Sequence, residues 1–267
     1  MSNAAQSEII SLVITVYENS EAFSLVCDSI LALNKFPKEV IVADDGSGAS
    51  IDEVVHQFRA RSPVPVIRSW LPNCGYRAPR SRNLGVLKSS SAYIVMIDGD
   101  CLLPESFIAN HEALVTRRTL VSGGRKMLSK SFSKMLEAKG FAVMQHSVFR
   151  GFKFFCIRMV SLRQIFRISW KSARTCNLGF WKDDFLRVSG FDEGYFGWGR
   201  EDSDFVVRLQ HAGCDIISGR LWCSVAHCWH PETDRSYFSD NDQMFSEILL
   251  DKNAVSPRRS CIGELRV

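Results

Sequence analysis

Apolar and polar positions along the first hundred residues switch between two periods. Short runs rich in Ile, Val and aromatic residues at 9–16, 39–43, 64–68 and 93–97 read as buried strands, because brief β-branched runs bounded by turn formers suit a strand better than a helix. Between them, stretches near 20–34, 51–60 and 80–88 carry apolar residues at helical spacing. Phe23, Val26, Ile30 and Leu33 show it best, with Ser20 expected as the N-cap. Strands alternating with helices predict an α/β fold, a doubly wound and mostly parallel sheet with helices on both faces. Each strand then delivers its C-terminal loop to one edge, where such sheets open their ligand crevices.

Past this half, a helix is expected over 104–115 after Pro104 and a strand at 119–123. A basic stretch of helical character follows, with Met135, Phe141, Met144 and Phe149 among Lys and Arg. Strand character resumes at Asn177-Leu178-Gly179-Phe180-Trp181. A Gly- and aromatic-rich loop over 190–199 leads into Arg200-Glu201-Asp202-Ser203-Asp204 and a helix to about 212. A further strand is expected from Leu221 to Val225, ending at Ala226-His227. No repeat or low-complexity linker divides the chain, so a single domain is expected over 9–251. It comprises a first half to 115, a basic helical segment 116–176 and a second half 177–251. Residues 1–8 read as an unstructured N-terminus or tag remnant, and 252–267 as a tail.

Composition is that of a globular protein, 46% apolar and 23% charged. No apolar run approaches the roughly 18 residues that span a bilayer. Ile9 to Val16 is too short, and lacks the basic flank, for a signal peptide. Nine irregularly spaced cysteines point to reduced thiols in a cytosolic setting. Cys223, His227, Cys228 and His230 crowd together, but without a Cys-x-x-Cys pair they do not make a structural zinc site. The net charge of +4 hides a lopsided distribution: Arg117 to Arg174 holds fourteen cations and one acid, Glu137, so this segment carries +13 and the remainder −9. An anionic partner is implied. Phe141, Phe149, Phe152, Phe154, Phe155 and Phe166, interleaved with those cations, fit a helix at an anionic membrane surface. Nucleic acid could use the same pattern, but no recognised binding motif accompanies it.

The chemistry sits at the predicted strand ends. Tyr93-Ile94-Val95-Met96-Ile97 breaks into Asp98-Gly99-Asp100, two hard oxygen donors separated by a flexible residue, which suits Mg²⁺ or Mn²⁺ with positions left for water and phosphate. Tyr17-Glu18-Asn19 and Asp44-Asp45-Gly46-Ser47 lie at the same edge, so carboxylates from three loops converge there.

These loops resemble the inverting glycosyltransferases of family 2 type with the GT-A fold. The resemblance rests on Val13-Ile14-Thr15-Val16-Tyr17, Val42-Ala43-Asp44-Asp45-Gly46-Ser47, Arg82-Asn83-x-Gly85 and Asp98-Gly99-Asp100, in that order. Gly197-Trp198-Gly199-Arg200-Glu201-Asp202 is similar to the acceptor loop of β-1,4-galactosyltransferases and bacterial chondroitin polymerase domains. Together the motifs cover roughly residues 9–230.

The resemblance implies roles. Asp44 or Asp45 would hold the uracil or ribose of a UDP-sugar, and Arg82 and Asn83 would reach its sugar or diphosphate. Asp98 would contact ribose or a metal-bound water, while Asp100 would ligate Mn²⁺ or Mg²⁺ together with a histidine after the last strand, His227 first and His230 second. Asp202 would be the general base of a single inverting displacement. Glu201 would bind acceptor hydroxyls, Trp198 would stack on a sugar face and Asn177 would face the acceptor. Two departures stand out: the family's small residues before Arg-Asn are here Arg77-Ala78-Pro79-Arg80-Ser81, predicting extra contacts to an acidic donor or diphosphate, and Arg200 occupies a position where relatives often have glycine.

Other classes fit less well. A sugar-nucleotide pyrophosphorylase would need a glycine-rich phosphate loop after the first strand, and a Rossmann oxidoreductase would need G-x-G-x-x-G there; this chain has Tyr17-Glu18-Asn19-Ser20. A non-catalytic carbohydrate-binding protein would keep Trp198 but have no need of the carboxylates. The expectation is a metal-dependent transfer of a hexose or N-acetylhexosamine, galactose-type favoured, from a UDP-sugar to a glycan or lipid-linked glycan in surface polysaccharide assembly. The setting would be cytosolic, either free or peripheral on the inner membrane face.

Overall fold

The computed structural model describes residues 5–147, 168–231 and 234–264. Its first half runs β1 (Ala5–Gln6), β2 (Ile10–Val16), α1 (Ser20–Leu31), β3 (Lys35–Phe36), β4 (Glu39–Asp44), α2 (Ala49–Arg61), β5 (Val66–Trp70), α3 (Ala78–Lys88) and β6 (Tyr93–Asp98). The second half runs β7 (Cys101–Leu102), α4 (Phe107–Leu114), β8 (Thr119–Ser122), β9 (Arg125–Met127), α5 (Lys130–Lys139) and α6 (Ala142–Ser147). After the undescribed stretch come a 3₁₀ turn (Trp170–Ser172), β10 (Asn177–Trp181), α7 (Lys182–Arg187), α8 (Glu201–His211), β11 (Asp215–Ser218), β12 (Val225–His227), α9 (Phe238–Leu250) and α10 (Cys261–Glu264).

Seven strands form the main sheet in the order β11-β8-β10-β6-β2-β4-β5. Every pairing is parallel except those of β10, which runs antiparallel to both β6 and β8. The strands read as continuous apolar runs because both faces are covered. Ile10, Leu12, Ile14 and Val16 of β2 pack with Phe23, Val26 and Ile30 of α1 and Val55 and Phe58 of α2. Val13 points the other way, into a cluster with Val86 of α3, Ile94 and Met96 of β6, Phe180 of β10 and Phe205 of α8. Each such fully buried side chain contributes about 1.5–3 kcal/mol. A second sheet, β7-β12-β9, brings residues 225–227 beside the loop after β6.

Several boundaries differ from expectation. Asn19, not Ser20, caps α1: its side chain accepts from the Ala22 N–H at 3.3 Å while its φ is 56°, a left-handed conformation that Asn tolerates better than Ser. The strand expected from Leu221 is a turn closed by Trp222 and Cys223 N–H groups donating to the Gly219 carbonyl, and only Val225–His227 pairs. The N-terminus is not unstructured from residue 5, because Ala5 and Gln6 pair with Lys35 and Phe36. The expected tail folds back: Cys261 and Ile262 are buried, and Glu193 receives the Cys261 N–H at 3.0 Å. The basic segment is helical only in part, since β8 and β9 lie within it. Phe149, Phe152, Phe154, Phe155 and Phe166 fall outside the described residues. Among the described residues no helix is long and apolar enough to cross a membrane.

Candidate active site

The C-terminal ends of β2 and β6, the loop before α3, the start of α8 and the end of β12 enclose a cavity of about 700 Å³. Gly99 lets the β6 loop close against β2. Its N–H donates to the Thr15 carbonyl at 2.8 Å, and a Cβ there would lie 3.0 Å from Val16 Cγ2 and 3.1 Å from the Thr15 oxygen. Asp98 and Asp100 thereby both line the cavity.

Asp100 faces two imidazoles. Its Oδ1 lies 3.4 Å from His227 Nε2 and its Oδ2 3.6 Å from His230 Nε2. Each ring's Nδ1 points at a backbone carbonyl, of Cys228 at 2.9 Å and of Pro231 at 2.7 Å. A carbonyl only accepts, so each Nδ1 carries the proton and, in the neutral ring, each Nε2 presents a lone pair towards the carboxylate. Burial pushes the His227 pKa down, which keeps that ring neutral. Lone pairs facing carboxylate oxygens repel unless a cation lies between them, and an oxygen and two imidazole nitrogens suit a divalent ion such as Mn²⁺. Cys101 Sγ, 3.7 Å from Asp100 Oδ1, completes the group, but burial raises its pKa and favours the thiol.

A carboxylate cluster around Arg82 forms another part of the cavity wall. The buried guanidinium donates through Nη1 to Asp202 Oδ1 at 3.0 Å and Glu201 Oε1 at 3.3 Å, and Nη2 lies 3.7 Å from Asp98 Oδ1. Burial raises the Asp98 pKa to about 7, against the Arg82 charge that lowers it, and burial with the neighbouring Asp202 raises that of Glu201. Glu201 also accepts from Tyr76 OH at 2.9 Å and from the Gly199 N–H at 3.2 Å. Thr175 grips Asp202 twice, Oγ1 donating to Oδ1 at 2.7 Å and N–H to Oδ2 at 3.1 Å. A carboxylate offers about four lone-pair sites; among the described residues three are taken, and the fourth, on Asp202 Oδ2, stays open.

Both acids open α8 after a loop that bends through Gly197, Gly199 and Arg200 at φ 63°, 115° and 75°. The positive φ at 200 is the physical reason that glycine suits this position. Arg200 is held there by Asp242 at 2.6 Å and by the Phe238 and Phe245 rings. Trp198 stacks on Phe238 with centroids 5.9 Å apart and is 39% exposed, leaving ring surface available at the cavity.

The two aspartates after β4 part company. Asp44 is fully buried: Oδ1 accepts from the Gly46 and Ser47 N–H groups at 3.1 and 2.8 Å, and Oδ2 from Arg68 at 2.6 and 2.8 Å. It shapes the turn and does not reach the cavity. Asp45 does. Its Oδ2 accepts from the Arg77 N–H at 2.6 Å, its buried Oδ1 has no hydrogen-bond partner among the described residues although Arg77 Nε lies 3.9 Å away, and burial raises its pKa to about 6.

Two other expected site residues lie away from the cavity and are hydrogen-bonded within the protein. Asn83 anchors the 190s loop, exchanging hydrogen bonds with Phe191 N–H and carbonyl at 2.8 and 3.0 Å and donating to Glu193. Asn177 is buried against His111 Nε2 at 3.1 Å, with its amide donating to the Gly124 and Cys223 carbonyls. Neither lines the cavity. The basic run before Arg82 is spent internally as well: Arg77 donates to the Pro72 carbonyl and Arg80 pairs with Glu193 at 2.8 Å. Sequence reasoning missed Tyr76 and Thr175, whose partners lie 125 and 27 residues away. Their only signal is adjacency, to the basic run and to β10.

Comparison with known proteins identifies the family and the fold. The family profile described as glycosyl transferase family 2 matches residues 11–165, and that of the N-terminal domain of galactosyltransferase matches residues 159–230. Chondroitin synthase of Escherichia coli is 27% identical over 232 residues, covering 77% of this chain and 32% of the synthase. Validoxylamine A glucosyltransferase of Streptomyces hygroscopicus subsp. limoneus is 24% identical, covering 80% of this chain and 51% of the relative. The chain thus spans a third to a half of the length of these relatives. Among solved structures, S. aureus TarS in complex with UDP-GlcNAc superposes with a TM-score of 0.64 at 13% identity, covering 91% of this chain and 67% of that one. A mannosyltransferase from Pyrobaculum calidifontis in complex with GDP-Man and Mn²⁺ gives 0.60, also at 13% identity, covering 91% and 64%. At such identities the likeness shows the fold, the GT-A fold. With the family profile matching more than half of its length, the chain belongs to glycosyl transferase family 2 and is a glycosyltransferase.

Proposed function

We propose that this domain transfers a hexose or N-acetylhexosamine, galactose-type favoured, from a UDP-sugar to a glycan or lipid-linked glycan, with inversion and with the help of a divalent cation. One observation carries the reading: the Asp100, His227 and His230 group and the open lone pair of Asp202 line one cavity, so a leaving diphosphate and an attacking hydroxyl can be served at once. Asp45 Oδ1, which has no hydrogen-bond partner among the described residues, would accept the uracil N3–H, a donor that cytosine lacks. Asp98 is left for ribose or water. Asp100, His227 and His230 would hold Mn²⁺ or Mg²⁺, which supplies positive charge against the diphosphate that leaves.

Asp202 takes the proton of the acceptor hydroxyl at Oδ2. Thr175 and Arg82 fix that carboxylate from the other directions, so it meets substrate already oriented. Trp198 offers its ring to a sugar face, and Glu201 is left one lone pair for an acceptor hydroxyl. The donors in the complexes of the two solved neighbours, UDP-GlcNAc and GDP-Man with Mn²⁺, support a nucleotide-sugar and cation. Contact with an anionic membrane rests on the basic segment, most of whose aromatic residues lie outside the described ones. The test is a screen of UDP-sugars for acceptor-dependent UDP release with Mn²⁺ or Mg²⁺. Release from one or more of them supports the reading, and no release with any, alongside turnover of a non-uridine donor, overturns it.

A further inference from the structure

Two arginines on the cavity wall have no part in the chemistry described so far. Arg125, in β9, and Arg174, two residues ahead of Cys176, both line the cavity and are exposed to it. Thr175, which grips Asp202 through its N–H and its hydroxyl, has Arg174 on one side in the chain and Cys176 on the other. Arg125 Nη1 lies 4.0 Å from the Cys176 sulfur. Both guanidiniums therefore flank the segment that orients the base.

Their partners set them apart from Arg82. Arg82 lies within ion-pair distance of three carboxylates. Among the described residues neither Arg125 nor Arg174 has one, although six acids line the same cavity. Arg174 spends Nη1 on the Lys171 and Ala173 carbonyls at 3.1 and 2.6 Å, which leaves Nε and Nη2 without a partner among the described residues. Among the described residues Arg125 has only the sulfur as a hydrogen-bond partner. A third cation, Arg235, lies 5.2 Å over the Trp198 ring, so the stacking surface too is bordered by positive charge. Guanidinium forks with spare N–H groups match the paired oxygens of a carboxylate or phosphate.

We infer that the acceptor is anionic: the sugar that offers its hydroxyl to Asp202 carries a carboxylate or phosphate bound by Arg125 and Arg174. This rests on the assignment of Asp202 as base and specifies the acceptor class of that site. A sugar acid and a phosphorylated sugar present the same chemistry here, and matched ligands separate them.

The experiment is calorimetric titration of the protein, held with UDP and Mn²⁺, by methyl glycosides that differ only at C6. Each of the gluco, galacto and N-acetylhexosamine series is offered as hydroxymethyl, carboxylate and 6-phosphate. At least one charged glycoside binds ten-fold or more tightly than its neutral twin, and the series tells carboxylate from phosphate. Arg125→Gln and Arg174→Gln each weaken the charged ligand by roughly ten-fold and leave neutral sugars and UDP unchanged. Equal binding of charged and neutral twins, or binding of neither, overturns the inference. So does a loss of UDP affinity in the Gln variants, which would assign the arginines to the donor diphosphate. A wild type that binds no UDP overturns the donor reading together with this one, whereas UDP binding without a charge preference overturns this inference alone.

Discussion

Arg82→Met removes the buried cation that Glu201, Asp202 and Asp98 share, at 3.3, 3.0 and 3.7 Å, and leaves three carboxylates crowded on the cavity wall, Glu201 buried and the other two half-buried. Breaking a buried ion pair from one side costs roughly 3–5 kcal/mol, because the remaining charge stays desolvated. Against a typical domain stability of about 5–15 kcal/mol, that is a large share. For a chain of this size it corresponds to a fall in Tm of roughly 6–20 °C. Sign matters for the pH dependence. Burial already raises the Glu201 pKa with Arg82 present, and losing the guanidinium raises it further. A carboxyl whose folded pKa lies above its unfolded value stabilises the fold at low pH and loses that contribution as pH rises. The Arg82→Met penalty is therefore smaller at pH 5 than at pH 8, while Arg82→Lys, which keeps the charge but not the fork, falls between. Urea titrations followed by circular dichroism at both pH values measure it. A penalty under about 1 kcal/mol at pH 8, or one equal at the two pH values, would refute the claim that this ion cluster holds the acceptor wall together.

Further outcomes follow from the same geometry. Asp202→Asn keeps the shape but cannot take the proton, so transfer falls by roughly two to four orders of magnitude while UDP affinity survives; kinetics paired with calorimetry check both halves. UDP affinity weakens as pH drops through about 6, where Asp45 gains its proton, and Asp45→Asn flattens that profile; a wild-type affinity constant from pH 5 to 8 would remove Asp45 from the uracil site. Excess chelator abolishes transfer and Mn²⁺ or Mg²⁺ restores it, with His227→Ala and His230→Ala each demanding more cation; full turnover by protein shown metal-free by elemental analysis contradicts the assignment.

Periodicity carried most of the fold. The β2, β4 and β6 runs are buried on both faces, so their composition alone announced parallel strands, and β5 moved by only two residues. What stayed hidden was set by tertiary contact. Asp44 and Asp45 are adjacent and chemically identical, and the Gly46 and Ser47 N–H groups together with Arg68, arriving from β5, occupy one of them. Asn83 and Asn177 are consumed by partners up to 177 residues away, which no local pattern encodes. The cation group was half visible: Asp100 follows from the strand end, but the choice between His227 and His230 depended on backbone carbonyls that orient both rings.

The configuration of the product tests the account most directly. With an α-linked UDP-sugar and an accepted glycan, one proton spectrum of the new anomeric position reports whether the acceptor hydroxyl, deprotonated at Asp202, attacked from the face opposite the leaving diphosphate. A β-linked product is predicted. An α-linked product would require a second displacement or front-face attack, and would contradict the role given to Asp202.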